Sequence, residues 1–485
     1  MRTRNSCTCL PVRLSVGVMA FLICFIAYMV RANIAIGMLA MVKTGKVEPD
    51  FGPRYDWTKS EQSLVLGAFF AGSCVSTFPA GFLAEWFGGP LTTTIALIIS
   101  LILTALTPAM SDISVWALYA NRLILGVAGG VFFPALHSVV SKWAPPDEKG
   151  KFVAALLGGN LGTVFTFQLT GIITGLYGWR TVFYGQAVLV LIITILWVAL
   201  VSGTPRSHHF ISEEEVQYIE NSLGSTVSKE KKVPPYGKIF MSIPFIALII
   251  LHYGNLWGLF FLLTIAPDFM NSSLGFDLKS SGIYSSLPHL ARFLMGFLFG
   301  WIGDCLRNRT NPTIIRKSFC IFSHILPGAL LLVIPYINDT FLIISILTAS
   351  LGFNGAATLT NLQNTQDLAP NYAGTLYSII NFIGLSSGFF GPLLKNIFEQ
   401  YGPKYGFDPW SAMFIVGGFG YIVPAFLFWF FGTAKVQSWN AINKPAITVQ
   451  ESQEPSQEHQ EPQVKKSHET GENGEKIIQD EATKL

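Results

Sequence analysis

Apolar residues fall in twelve long runs, and polar residues gather between them. The runs lie near 14–41, 61–84, 90–110, 114–141, 152–176, 181–202, 240–266, 281–303, 315–336, 341–366, 372–396 and 410–432. Each approaches the ~20 residues that carry an α-helix across a bilayer. None shows the ten-residue alternation of a membrane barrel strand. The pattern therefore predicts an all-α polytopic membrane protein with twelve transmembrane helices. The polar stretch 203–238, with SEEEV and SKEKK, divides six runs from six.

Five regions follow from this division. Residues 1–13 form a short basic N-terminus, and residues 14–202 a first six-helix half. Residues 203–238 are a cytoplasmic linker, and residues 239–432 a second half. Residues 433–485 are rich in Gln, Glu and Lys. We expect them to form a disordered cytoplasmic tail, because they bring too little apolar surface to bury. An even number of spans puts both termini on one side. Lys142, Lys149, Lys151, Lys229, Lys231, Lys232, Arg316 and Lys317 place that side in the cytoplasm. The halves also echo one another. Gly81-Phe-Leu-Ala-Glu85 ends the second run and Gly300-Trp-Ile-Gly-Asp304 ends the eighth, while Trp179-Arg-Thr-Val-Phe183 and Trp410-Ser-Ala-Met-Phe414 open the sixth and twelfth. Two six-helix halves related by an axis along the membrane normal make the major facilitator architecture, with substrate held at the midplane between them.

Composition supports this reading. Of 485 residues, 51% are hydrophobic and 13% charged, against about 25% charged in soluble chains. The formal charge of +3 is too small to suggest nucleic acid as a partner. The expected partners are a small anionic substrate and the lipid bilayer, with the chain acting as a monomer. None of the six cysteines falls in a stretch placed outside the membrane, so no disulfide framework is expected. Cys7 and Cys9 lie near the membrane; we read them as free thiols rather than palmitoylation sites. No P-loop, HExxH or GxSxG is present, so neither ATP hydrolysis nor covalent catalysis is expected. We expect no enzyme activity, no metal and no cofactor beyond a coupling Na⁺ or H⁺.

The candidate chemistry lies in cations set inside apolar runs, where a charge is costly and usually serves function. Arg31 sits late in the first run and Arg122 early in the fourth, so both fall in the outer half of the membrane. They are placed to converge on one anion, with Asn33 beside them. Arg292 offers a third cation from the second half. His137 and His289 are candidate proton carriers, since imidazole changes charge near neutral pH. Each also reads as a hydrogen-bonded structural residue. Glu85, Asp304 and Asp367 lie at cytoplasmic helix ends and suit a gating role, not a binding one. That leaves no carboxylate in the middle of the bilayer to carry a coupling proton. Asn271 and Asn338 head glycosylation sequons in exterior loops, whereas the sequon at Asn308 falls inside.

Several of these residues carry a family resemblance. Arg31-Ala-Asn33, Phe78-Pro-Ala-Gly81-Phe-Leu-Ala-Glu85, Phe133-Pro-Ala-Leu-His137, Ser141-Lys-Trp-Ala-Pro-Pro146, Leu287-Pro-His289 and Asp367-Leu-Ala-Pro-Asn-Tyr-Ala-Gly374 resemble the anion:cation symporters of the major facilitator superfamily. That group holds type I sodium/phosphate cotransporters, sialin and the vesicular glutamate transporters. The insect members named as inorganic phosphate cotransporters look most similar. The resemblance covers roughly residues 14–435. It implies that Arg31 and Arg122 match the family's anion-binding arginines and that His137 matches its segment-4 histidine. The chain also departs from the family. Gly129 stands where relatives keep a glutamate tied to proton coupling. Leu66 and Asn255 replace a histidine and an arginine of the vesicular glutamate carriers, and Trp86 replaces an arginine of the segment 2–3 motif. These departures favour a sodium- or potential-driven carrier of phosphate or organic anions, working by alternating access at the plasma membrane. The alternatives are a proton-coupled lysosomal or vesicular organic-anion carrier of the sialin type and a receptor that binds without transport.

Overall fold

The computed structural model describes residues 11–43, 52–145, 157–224, 234–307 and 309–440, with the single residues 148, 152 and 155. Asn308, Cys7, Cys9 and the tail from residue 441 lie outside the described residues, as do the side chains of Glu85, Asp304 and Arg307.

Twelve helices of membrane length run through the described chain. The first six are α1 (Val12–Met41), α2 (Lys59–Trp86), α3 (Gly89–Ile113), α4 (Val115–Trp143), α5 (Gly158–Tyr177) and α6 (Trp179–Leu200). A polar helix, α7 (Glu213–Gly224), occupies the linker. The second six are α8 (Ile243–Ser273), α9 (Leu278–Arg307), α10 (Pro312–Tyr336), α11 (Thr340–Leu368), α12 (Pro370–Tyr405) and α13 (Pro409–Phe431). Ten are both long and apolar enough to cross a membrane. The exceptions, α5 and α9, pack on each other across the interface between the halves. Gln168 Nε2 donates to Ser286 Oγ there at 3.0 Å. Their polar residues serve that contact, which is why their hydropathy is lower.

The apolar cores are distributed unevenly. At the end opposite the termini, one cluster spans both halves and includes Ile34, Phe70, Phe167, Phe183, Phe260, Phe269 and Phe414. At the terminus-bearing end the cores separate. One belongs to α1–α7 and two to the second half. One cluster thus joins the halves on the far side, and toward the side that the basic loops assign to the cytoplasm they meet at contacts such as Phe78 with Phe382, ring centres 6.4 Å apart.

Small residues allow close contact within the first half. A Cβ at Gly126 on α4 would come within 2.1 Å of the Phe69 carbonyl on α2, so only glycine fits. Ser73 Oγ then donates across that contact to the Gly126 carbonyl at 3.0 Å.

Two polar segments are more structured than their composition suggests. In the linker, Ser212 Oγ accepts from the Glu215 amide at 3.2 Å, which caps the start of α7. Glu215 accepts from the backbone amides of Val12 and Arg13, each at 3.0 Å, and so caps α1 from a distance. Arg13 reaches Glu148 as well as Glu215, which ties three polar segments together. The tail expected to begin at residue 433 packs back on the second half as far as Asn440. Trp439 is buried, and the Gln437 amide donates to the Leu368 carbonyl at 2.9 Å. A single tryptophan and a few satisfied backbone groups hold this stretch, which average composition does not reveal.

Candidate functional site

The site is built around α1. Arg122, on α4, is fully buried and points its guanidinium at the α1 backbone. Its Nη1 donates to the Val30 carbonyl at 3.0 Å and to Asn33 Oδ1 at 3.1 Å, and its Nη2 donates to the Arg31 carbonyl at 3.2 Å. Asn33 Nδ2 in turn donates to Gln186 Oε1 on α6 at 2.8 Å. Arg122 and Asn33, both expected to touch an anion, have these donors occupied within the protein. They fix the stretch of α1 that carries Arg31.

Arg31 turns the other way, toward the second half. Its guanidinium carbon lies 4.7 Å from the ring centre of Tyr28, 5.3 Å from Phe69, 5.7 Å from Phe70 and 5.2 Å from Phe260. Such faces attract a cation through the ring quadrupole without neutralising its charge. Phe260 belongs to α8, so the cage is completed across the halves. Arg31 Nε has no hydrogen-bond partner. Among the described residues, no carboxylate forms an ion pair with Arg31, Arg122 or Arg292.

The second half faces this cage with polar groups that lack partners. Arg292 Nη1, Tyr421 Oη, Trp257 Nε1, Ser285 Oγ and both ring nitrogens of His252 and His289 are buried without a hydrogen bond. Buried polar atoms normally find a partner, so a cluster of unmet ones marks a place for a ligand or water. Tyr28 lies within electrostatic reach of both Arg31 and Arg292. His289 sits edge-on to Phe167 of the first half, with ring centres 5.7 Å apart. The third histidine, His324, is fully engaged. Its Nδ1 pairs with Ser323 Oγ at 2.7 Å and its Nε2 with the Leu251 carbonyl at 3.0 Å.

The remaining candidates lie elsewhere. His137 is exposed near the terminus-bearing end of α4, its ring 5.1 Å from that of Tyr377 on α12. Asp367 accepts from Arg316 Nε at 2.7 Å and Nη2 at 3.3 Å. Both residues belong to the second half, so this pair braces α10 against α11 and does not join the halves. Asn338 is exposed on its loop, whereas Asn271 Nδ2 donates to the Phe276 carbonyl at 2.8 Å. His252, Tyr377 and Tyr421 were not anticipated from sequence. A lone histidine or tyrosine in an apolar run looks structural until its bonding is known.

Comparison with known proteins agrees with this architecture. The chain matches the Major Facilitator Superfamily over residues 20–392 and belongs to that superfamily of membrane transporters. It is 31% identical over 462 residues to human sialin, covering 90% of this chain and 92% of the relative. It is 29% identical over 459 residues to a Drosophila melanogaster protein provisionally named inorganic phosphate cotransporter, with 89% and 87% covered. Vesicular glutamate transporter 1 of Bos taurus is 28% identical over 447 residues, with 89% and 79% covered. These relatives place the chain in the superfamily's anion:cation symporter group. The inward-open xylose transporter from E. coli shares the fold, with a TM-score of 0.62 at 13% identity over 87% of this chain and 95% of that one.

Proposed function

We propose that this protein carries a small organic anion or inorganic phosphate across the membrane by alternating access, with Arg31 as the group that meets the anion. One observation carries the reading. Arg31 is a buried cation between the halves, caged by aromatic rings and without a carboxylate partner among the described residues. An unpaired charge in such a place is expensive, and an incoming anion relieves it. Arg292 supplies a second positive charge from the other half, so an anion between them would draw the halves together. Arg122 and Asn33 serve as positioning residues. The names of the relatives support an anionic substrate.

Uptake by proteoliposomes tests this, with phosphate, glucuronate and benzoate as probes and Na⁺, H⁺ and membrane potential varied separately. Arg31→Ala is expected to abolish uptake of whichever probe the wild type carries; undiminished uptake would overturn the assignment. We further propose the plasma membrane as the site of action, because Tyr236-Gly-Lys-Ile is only a weak tyrosine-type sorting signal for internal membranes. Surface biotinylation separates that location from a lysosomal or vesicular one.

A further inference from the structure

We propose that residues 433–440 form a latch that ties together the cytoplasmic ends of α10, α11 and α12, and that its release lets the start of α12 peel away from the first half. The latch lies away from the central site and acts whichever solute is carried.

Three helices of the second half are interrupted. α10 carries a π segment at Ile321–Ile325, and α11 carries one at Thr358–Leu362. α12 breaks at Ser386, between Ala373–Leu385 and Ser387–Tyr405. Helices bend at such interruptions. The pieces Pro312–Cys320, Gln363–Leu368 and Ala373–Leu385 thus gather at the terminus-bearing end, each beyond a point where its helix can bend.

Residues 433–440 bond to all three helices. The Ala434 amide donates to Thr313 Oγ1 on α10 at 3.0 Å. On α11, Asn364 Nδ2 donates to the Thr433 carbonyl at 3.0 Å, and the Gln437 amide donates to the Leu368 carbonyl at 2.9 Å. At the start of α12, the Asn371 amide donates to Asn440 Oδ1 at 3.1 Å and Asn371 Nδ2 donates to the Asn440 carbonyl at 3.0 Å. Ser242 Oγ, just before α8, donates to Gln437 Oε1 at 3.4 Å. Trp439 closes the contact by packing into the cluster of Ile239, Phe245, Leu368, Ala369 and Leu376.

Two features make this a latch and not a fixed part of the core. Trp439 is the one buried residue of the stretch, so little apolar surface holds it. Trp439 Nε1 and Asn364 Oδ1 are also buried without a hydrogen-bond partner. Unmet groups of this kind offset part of what the other bonds contribute. The stretch can therefore come off as a local opening, with the bundle still folded.

What the latch controls follows from α12. The piece that begins beside Asn371 carries Tyr377, which meets His137 of α4 with ring centres 5.1 Å apart. It also carries Phe382, which meets Phe78 of α2 at 6.4 Å. With the latch closed, these contacts with the first half part only when the second half moves as a body. With the latch open, the piece bends at Ser386 by itself. Release therefore speeds the parting of the halves at this end.

Hydrogen exchange read by mass spectrometry tests the latch without any solute. A chain ending after Asn440 should exchange like wild type. Trp439→Ala, and a chain ending after Gly432, should each speed exchange across 312–320 and 363–385 by about tenfold or more, as loss of a local restraint does. Peptides from α3 and α6 should not change. Trp439→Ala keeps the test available if the shortened chain does not fold. The opposite perturbation is Asn371→Cys combined with Asn440→Cys, which an oxidant locks and a reductant frees. In proteoliposomes, counterflow of phosphate, glucuronate or benzoate should rise severalfold with Trp439→Ala. It should fall severalfold in the oxidised double variant and return on reduction, while each single variant ignores the oxidant. Exchange that changes only within 433–440, or equal counterflow in locked and freed forms, overturns the latch. If wild type exchanges none of the three probes, the anion reading fails, and hydrogen exchange still decides the latch.

Discussion

A Cβ added to Gly129 would come within 2.4 Å of Cζ of Phe69, so the Phe69 ring occupies the space that any side chain there would need. That ring is fully buried and faces both Arg31 and Arg122, at 5.3 and 5.4 Å. Where the family resemblance implies a glutamate tied to proton coupling, this chain has Gly129 and sets the Phe69 ring face beside two arginines. The charge of Arg31 is thereby left available to a ligand.

Gly129→Ala is therefore expected to lower stability by about 1–3 kcal/mol, the usual cost of overpacking a core. Gly129→Glu should lower it further and stop uptake. Phe69→Leu added to Gly129→Ala should recover much of the loss. Thermal unfolding of the four forms of this cycle checks the contact, and strictly additive effects would refute it.

Arg31 and Arg122 should separate cleanly by assay. Removing Arg122 frees the α1 stretch from three charged hydrogen bonds, so Arg122→Ala should lower stability by about 2 kcal/mol or more. Arg31→Leu removes an unpaired buried charge, and the protein should melt at or above the wild-type temperature while losing anion binding. Melting curves and uptake on the same preparations decide this. A large loss of stability with Arg31→Leu would show that the cage, not the ligand, satisfies the charge.

These two arginines also show how far sequence could reach. Both stood out as cations in apolar runs, and so did the twelve helices, because a long apolar run has few folded alternatives in a bilayer. Which way a guanidinium points depends on helix rotation and rotamer, and those are set by partners such as Gln186 and Phe260 far along the chain. His252 stayed hidden for the same reason. It differs from His324 only in whether its nitrogens are bonded. The linker helix did leave a trace, the Ser212-x-x-Glu215 capping pattern, within a stretch whose polarity marked it only as a cytoplasmic linker.

On the far side, Tyr55 Oη donates to Asp112 Oδ1 at 2.6 Å, and Arg180 also donates to that oxygen. Burial first, and then the bond to Asp112, push the Tyr55 phenol up to about 12. A raised value means that the folded state holds this proton more tightly than the unfolded one. The resulting stability is complete below pH ~10, the usual phenol value, and is lost as pH rises toward about 12. Tyr55→Phe should lose this contribution at neutral pH and show a flatter alkaline limb. Unfolding midpoints measured from neutral to alkaline pH test the sign; a steeper limb in Tyr55→Phe would contradict it.

The two exterior sequons should differ in glycosylation. Asn338 is exposed, whereas the Asn271 amide is held by the Phe276 carbonyl. In protein made by a glycosylating cell, Asn338→Gln should remove the mobility shift on deglycosylation and Asn271→Gln should keep it. The reverse result would place the glycan on Asn271 instead.

The apolar contact on the far side also sets a cost on opening the carrier outward. Opening outward must separate Phe70 from Phe260, whose ring centres are 4.6 Å apart, and wet the apolar surface around them at ~25 cal/mol for each Å² exposed. That cost falls on an aromatic pair contributed by both halves, so weakening the contact would make separation of the halves at this end easier.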